Sequence, residues 1–174
     1  MALNPTELNQ LNVVSFQTNF MRMPNVNFFC QSVTIPSLAI GTALQPTVFS
    51  DIPLEGDKLV FEQLTIRFYV NEDLSNYLEI YSWLISLGFP DNPPQFNLAS
   101  DITRASDSTS TLKSDMNVML QTNKSNPNFN VTFKDCFPVS LGEIELDSSV
   151  TTLEPIAVTA TFAYTGSFMI EKVG

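Results

Sequence analysis

The sequence contains no histidine. Without histidine, Ser-His and Cys-His nucleophile pairs cannot form, and two cysteines are too few for the usual zinc ligand sets. All six glycines are isolated along the chain, so neither a phosphate-cradling loop nor a dinucleotide-binding fingerprint is present. No apolar run approaches the roughly 18 to 20 residues that span a bilayer, and no export leader is evident. We therefore expect no enzymatic activity, no cofactor, no bound metal and no membrane anchor.

Basic residues are also scarce, with 8 Lys and Arg against 18 Asp and Glu and a formal net charge of −10. Proteins that grip nucleic acid need clusters of positive charge that neutralise phosphates. The balance therefore predicts that nucleic acid can pass this protein but does not bind it specifically.

The two cysteines, Cys30 and Cys136, both lie in apolar, strand-like stretches. This position is typical of buried, reduced thiols, although a disulfide or redox pair is the alternative. Reduced thiols indicate assembly in a reducing cytoplasm.

The composition predicts a single, mainly β domain over residues 1–174. The 14 Phe and many Val, Ile and Thr favour strands, while 11 Pro interrupt long helices. Apolar residues alternate with polar ones, or form short runs, in the segments that we predict as strands: 14–20, 28–33, 64–70, 116–121, 129–133 and 156–164. Together they describe an antiparallel β-sandwich or barrel with one flanking helix.

That helix is predicted at about residues 73–88, after a cap at Asn71-Glu72-Asp73 and before Gly88 and Pro90. A stripe at helical spacing is expected to face the core: Leu74, Tyr77, Leu78, Tyr81, Leu84 and Ile85. Ile80, Trp83 and Leu87 lie off this stripe, so we expect that face to contact a second surface such as another subunit.

Three segments lack the pattern of a helix or a buried strand. Residues 1–11 are polar and predict an N-terminal arm, and residues 91–115 predict an exposed polar loop. Residues 36–56 contain three prolines and scattered apolar residues, which indicates a long loop, an arm or a loose hairpin. In this last segment, Leu38, Ile40, Val48 and Phe49 have no evident role in the core.

The strongest candidate for chemistry is the carboxylate series Glu143, Glu145 and Asp147. A spacing of two would place all three on one face of a strand, where they could hold a hard cation or act in acid-base catalysis. The plainer interpretation is a solvated acidic face opposite Ile144 and Leu146, because no calcium-loop pattern surrounds the series.

Three stretches, in order, resemble the tail tube family of T4-like contractile phages, whose fold is shared with the Hcp tube protein of type VI secretion. Residues 29–36 are similar to the strand and proline that precede the family's long loop. The family's Gly-Asp motif, acidic-aromatic strand and helix start are similar to residues 56–68 and to Asn71-Glu72-Asp73. Its Pro-x-x-x-Gly-Glu turn is similar to residues 137–147. The resemblance covers roughly residues 28–88 and 129–165.

The resemblance implies a structural virion protein without catalytic activity, assembled in the host cytoplasm. It implies stacked hexameric rings that form the inner tail tube, with the sheath and baseplate or neck proteins as partners and genomic DNA ejected through the lumen. On this basis we expect ring-to-ring contacts at Leu38, Ile40, Val48 and Phe49, and at least one of Glu143, Glu145 and Asp147 near the lumen.

Other functions remain open from the sequence. The chain could be a baseplate tube initiator or another tube-end protein, or a type VI-like effector tube. An alternative of another class is a monomeric β-sandwich binding module, which would not self-assemble.

Overall fold

The computed structural model describes residues 10–11, 15–88, 112–149, 152 and 154–173. Its helices are α1 (Pro24–Phe28) and α2 (Ser75–Gly88). Its strands are β1 (Phe16–Phe20), β2 (Cys30–Thr34), β3 (Leu38–Pro46), β4 (Asp51–Phe61), β5 (Leu64–Tyr69), β6 (Ser114–Gln121), β7 (Pro127–Leu141), β8 (Ala157–Ala163) and β9 (Met169–Lys172). The prediction of a mainly β fold is confirmed.

Seven strands form one antiparallel sheet in the order β1-β6-β7-β8-β5-β2, with β9 also paired to β7. The long strand β7 bends where Asp135 adopts a φ of 52°. Before the bend β7 pairs with β6 and β9. After it, Cys136 still pairs with Ser114 of β6, and β8 pairs from Phe137 onward. Because buried residues of both halves belong to one apolar cluster, the sheet folds over itself and encloses the core.

The core faces follow the alternation in the sequence. Leu64, Ile66 and Phe68 of β5 are buried, and the intervening Arg67 is exposed. Their partner strand β8 buries Val158, Ala160 and Phe162. The predicted inward faces of these two strands are therefore confirmed.

Strands β8 and β9 follow the same edge of β7, one after the other. Phe137 of β7 faces Ala163 of β8, and Thr132 of β7 faces Met169 of β9. The Thr165 N–H donates to the Lys134 carbonyl between them, close to Gly166 with its φ of 74°. The two strands thus behave as one interrupted strand, with glycine supplying the left-handed backbone at the interruption.

Helix α2 begins close to the predicted position, and side-chain hydrogen bonds hold its first turn in place. The Asn76 side chain donates to the Tyr69 carbonyl at 2.6 Å, and the Asn71 side chain accepts from the Asn76 backbone N–H at 3.4 Å. These bonds satisfy buried polar groups at the start of the helix.

The predicted orientation of α2 is wrong. Ile80 and Trp83 are fully buried, and Trp83 donates from Nε1 to the Leu112 carbonyl at 2.8 Å. From the predicted core stripe, Leu74, Leu78 and Tyr81 are exposed, whereas Tyr77 and Leu84 pack partly against the core. The helix is apolar around most of its circumference, so periodicity alone could not choose the buried face.

The predicted strand at 28–33 starts too early, because Phe28 ends the short helix α1 and β2 begins at Cys30. This helix has Pro24 in its first turn, and Glu79 of α2 accepts hydrogen bonds from its Asn25 and Val26 backbone N–H groups. A carboxylate from a distant residue therefore serves as its cap, and no local pattern announces such a contact.

Other predicted boundaries shift by a few residues or cannot be compared. The 91–115 loop overlaps β6, which begins at Ser114, and the remainder of that loop up to residue 111 lies outside the described residues. Val14 and residues 1–9 of the N-terminal arm also lie outside them.

Candidate assembly surface

Strands β3 and β4 form a hairpin that contributes almost nothing to the core. We call residues 38–61 the hairpin arm. Ile40 pairs with Leu59 on one face, and the neighbouring pair Ala39 and Val60 lies on the other. Ile40 is 52% exposed and Val60 is 55% exposed, so neither face of the arm is covered.

Nine large apolar side chains of the arm are exposed: Leu38, Ile40, Leu44, Val48, Phe49, Ile52, Leu54, Leu59 and Val60. A monomeric protein rarely presents so many apolar side chains in one contiguous element. The arm is therefore the best candidate in the described chain for a surface that binds another molecule.

The tip of the arm, residues 47–50, is the most exposed part. Val48 is 92% exposed and Phe49 is 97% exposed. The turn is held by the Thr47 N–H, which donates to the Ser50 carbonyl at 3.2 Å, and by Ser50 N–H, which donates to Thr47 Oγ1 at 3.3 Å. These contacts present the two apolar side chains on a defined turn.

A bulge interrupts the arm midway between base and tip. Ile40 pairs with Leu59 but Thr42 pairs with Glu55, so β4 has two more residues than β3 at this point. A Cβ atom added to Gly56 would lie 2.2 Å from the Gly41 carbonyl oxygen. The approach of the two backbones therefore requires glycine at position 56.

The base of the arm is attached to the junction between β8 and β9. The Glu62 N–H donates to the Ser37 carbonyl at 3.2 Å, and the Tyr164 hydroxyl donates to the Glu62 carbonyl at 3.0 Å. The rings of Phe61 and Phe168 meet edge to face, with centroids 6.0 Å apart. These contacts anchor one end of an otherwise uncovered hairpin.

The sequence-predicted contact residues Leu38, Ile40, Val48 and Phe49 all lie on this arm, the first two near the base and the last two at the tip. The pattern missed the apolar residues of β4, including Leu54 and Leu59. Their signal was the alternation with Glu55 and Lys58, which the prolines and the bulge obscured. The segment predicted at 36–56 as a loop, an arm or a loose hairpin is a two-stranded hairpin with one bulge, and it extends to Phe61.

The carboxylates Glu143, Glu145 and Asp147 do not share a strand face, because β7 ends at Leu141 and the chain is irregular beyond Gly142. All three are exposed. Asp147 accepts hydrogen bonds from the Ser149 hydroxyl at 2.7 Å and its backbone N–H at 2.8 Å, and these bonds lower the pKa of its carboxyl. In the described part of the chain, no group of His, Cys, Asp and Glu is arranged to hold a metal ion.

Both cysteines are free thiols, Cys136 buried and Cys30 half-buried. Burial raises the pKa of Cys136 to about 12 and that of Cys30 to about 11. A nucleophilic cysteine needs a lowered pKa, so the arrangement is that of inert structural thiols. Among the described helices, none is long and apolar enough to cross a membrane.

Nearly the whole sequence matches a known protein family. The profile of the phage tail tube protein family matches residues 2–169. The chain belongs to the phage tail tube protein family. The resemblance to the tail tube family is thereby confirmed, and the role of this tail tube protein is structural.

Solved structures with the same fold come from contractile injection systems. A chain from the anti-feeding prophage baseplate is 14% identical, with 99% of each chain covered and a TM-score of 0.55. A chain from the anti-feeding prophage tube-terminating cap is 11% identical, covers 98% of this tail tube protein and 96% of its own length, and has a TM-score of 0.58.

A third chain, from the PVC extracellular contractile injection system in a sheath–tube complex, is 14% identical, with 94% and 93% covered and a TM-score of 0.54. At these identities the likeness establishes the fold alone. No curated protein sequence matches the chain.

Proposed function

We propose that copies of this chain form hexameric rings that stack into the inner tube of a contractile phage tail, assembled in the host cytoplasm and carried in the virion. The observation that carries the proposal is an apolar hairpin arm, uncovered on both faces, in a chain of the tail tube family. The anti-feeding prophage baseplate, which contains a chain of this fold, was determined with six-fold symmetry.

The arm would bridge one ring to the next, with Leu38, Ile40, Val48 and Phe49 among the contact residues. Burying one large apolar side chain contributes about 1.5–3 kcal/mol, so covering several of the nine exposed ones would offset the entropy lost on association. Because both faces are apolar, full burial needs contacts on two sides, which stacked rings of several subunits would provide.

The lumen would carry genomic DNA without binding it. Six copies at −10 each would carry about −60 per ring, and carboxylates on the wall repel phosphates. Glu143, Glu145 and Asp147 are exposed, and we place at least one of them near the lumen.

The sheath and baseplate or neck proteins are the proposed partners. The related folds occur in a sheath–tube complex, a baseplate and a tube-terminating cap. The same set supports a second candidate, a tube initiator or other tube-end protein, which would form single rings and not long tubes.

Negative-stain microscopy and sedimentation of the purified protein test the proposal. We expect rings or tubes with a central hole, and single rings alone would favour the tube-end role. Deleting residues 42–52 should leave folded subunits that stack poorly, whereas unfolding on deletion would assign the arm to the core. A monodisperse monomer at high concentration in every salt would refute the proposal and favour a monomeric binding module.

A further inference from the structure

A groove lies at the end of the sheet where the β6–β7 turn meets β9, and it has a cavity volume of about 890 Å³. Six uncharged polar residues line the groove together with three apolar side chains and two lysines, and we call it the lysine groove. The apolar and charged members are Leu11, Leu120, Lys124, Phe129 and Lys172. The volume falls in the range of clefts that bury a small group of side chains. Leu11 is exposed, so the groove presents apolar surface to solvent.

The walls of the groove are held by backbone hydrogen bonds. In the β6–β7 turn, Thr122 N–H donates to the Asn126 carbonyl and Ser125 N–H donates to the Thr122 carbonyl, both at 2.8 Å. On the β9 side, the Val173 N–H donates to the Asn128 carbonyl at 2.8 Å. A preformed groove loses little entropy when it binds.

Charge distinguishes the groove from the rest of this acidic protein. Only 8 of the 174 residues are Lys or Arg, yet two of them line the groove, and none of the described lining residues carries a carboxylate. The outer part of the hairpin arm has the opposite character. Its tip presents Val48 and Phe49, and Asp51 and Glu55 follow with no basic residue before Lys58.

We propose that the tip of the arm of one copy docks in the lysine groove of a second copy, with Val48 and Phe49 against Leu120 and Phe129 and with Asp51 or Glu55 near the two lysines. The inference rests on the proposed self-assembly and names the surface that receives the arm. Each copy has one tip and one groove, and the two surfaces differ. A contact in which one tip enters the groove of the next copy is heterologous, the type that closes rings or extends filaments, whereas reciprocal docking between two copies would close a dimer.

Nucleic acid is a weaker fit for the same groove. Two lysines neutralise too few phosphates to hold a duplex against a net charge of −10. The exposed tip, in contrast, offers both apolar side chains and carboxylates.

Charge reversal with rescue tests the pairing. We expect Lys124→Glu/Lys172→Glu to raise the protein concentration needed for assembly at least tenfold in sedimentation velocity. The matched control Arg67→Glu/Lys134→Glu makes the same change in net charge at two exposed residues outside the groove and should alter this concentration less than threefold. Adding Asp51→Lys/Glu55→Lys to the double variant should restore assembly to within threefold of the original.

Cross-linking identifies the two surfaces directly. Chains with Phe49→Cys, mixed with chains with Asn123→Cys at the rim of the groove, should form disulfide-linked dimers across the two populations. The unsubstituted chain is the control, because its own thiols are buried or half-buried.

The outcomes separate the docking from the proposed function. If the unsubstituted chain never assembles, both fail. If it assembles and the groove variants assemble equally well, or the cross-link is absent from assembled protein, only the docking is overturned. Retention of linear duplex DNA that disappears with Lys124→Glu/Lys172→Glu would also overturn it, because the groove would then be a nucleic-acid site.

Discussion

The carboxyl group of Glu79 connects the two helices. Its carboxylate accepts from the Asn25 side chain at 2.7 Å and from the Val26 backbone N–H at 3.3 Å. Burial raises the pKa of Glu79, and this effect outweighs the hydrogen bonds, which lower it. The folded chain therefore binds the Glu79 proton more tightly than the unfolded chain does.

A pH dependence follows for Glu79→Gln. The stabilisation due to protonated Glu79 is fully present below its ordinary pKa of 4.5 and is lost as the pH rises through the raised folded value. Between pH 4 and pH 7 the unfolding free energy of the original chain should fall relative to that of Glu79→Gln, by less than about 1 kcal/mol because the group is partly solvated. Urea unfolding at the two pH values measures this.

Glu72→Gln is the matched control, since Glu72 is an exposed carboxylate just before the same helix. An equal pH response of the two variants would contradict the role assigned to Glu79.

At the scale of elements, helix α2 shows which part of a fold a sequence can specify. Its position followed from the cap residues and from Gly88, but its buried face did not follow from periodicity. That face is fixed by directional contacts: Asn76 with the Tyr69 carbonyl and Trp83 with the Leu112 carbonyl. Tyr69 lies on β5 and Leu112 lies in the turn before β6, so the choice is a tertiary one.

Two alanine substitutions distinguish the faces of α2. Ile80→Ala removes a fully buried side chain and should lower the unfolding free energy by about 2–5 kcal/mol. Leu78→Ala removes a side chain that is 51% exposed, and the loss should be below about 1 kcal/mol. Denaturant unfolding compares the two variants. A larger loss of unfolding free energy for Leu78→Ala would instead support the orientation expected from the sequence.

The bulge in the hairpin arm permits a matched pair of glycine substitutions. Gly56→Ala would force a Cβ to within 2.2 Å of the Gly41 carbonyl oxygen, whereas the same change at Gly41 meets no atom within 4 Å. We expect Gly56→Ala to speed hydrogen exchange of the arm amides at least tenfold and to weaken assembly, and Gly41→Ala to do neither.

The arm packs little against the core, so the free energy of unfolding should change by less than about 1 kcal/mol in both glycine variants. A loss of several kcal/mol in Gly56→Ala would instead mean that the arm supports the body of the subunit.

The sequence predicted most strands but could not predict the candidate site as an arranged surface. Strands β5 and β8 alternate cleanly because each has one buried face. In the arm both faces are apolar and exposed, so the sequence lacks the regular alternation of apolar and polar residues that marks a half-buried strand. The prolines therefore suggested a loop. The carboxylates Glu143 and Glu145 alternate like strand residues, yet none of the described strands pairs with them.

At the scale of the whole molecule, the charge of −10 combined with the family membership leads to a prediction about DNA. Phosphate binding grows with the number of Lys and Arg contacts and weakens steeply with salt. Assembled protein should retain linear duplex DNA with a Kd weaker than micromolar even at low ionic strength. A filter-binding assay measures this Kd. A micromolar or tighter value would contradict the proposal that the lumen carries DNA without binding it.

The strand order also has a consequence for the time course of folding. Phe16 of β1 pairs with Leu120 of β6, and Leu64 of β5 pairs with Phe162 of β8, so the sheet closes only after segments about a hundred residues apart have met. Such pairing is slow, whereas a local hairpin forms within microseconds. The hairpin arm, whose strands are joined by four residues, can therefore exist before the body is complete. Newly made subunits would then expose the apolar hairpin arm while the edges of their sheet are still unpaired. Self-association would therefore compete with folding as the protein concentration rises.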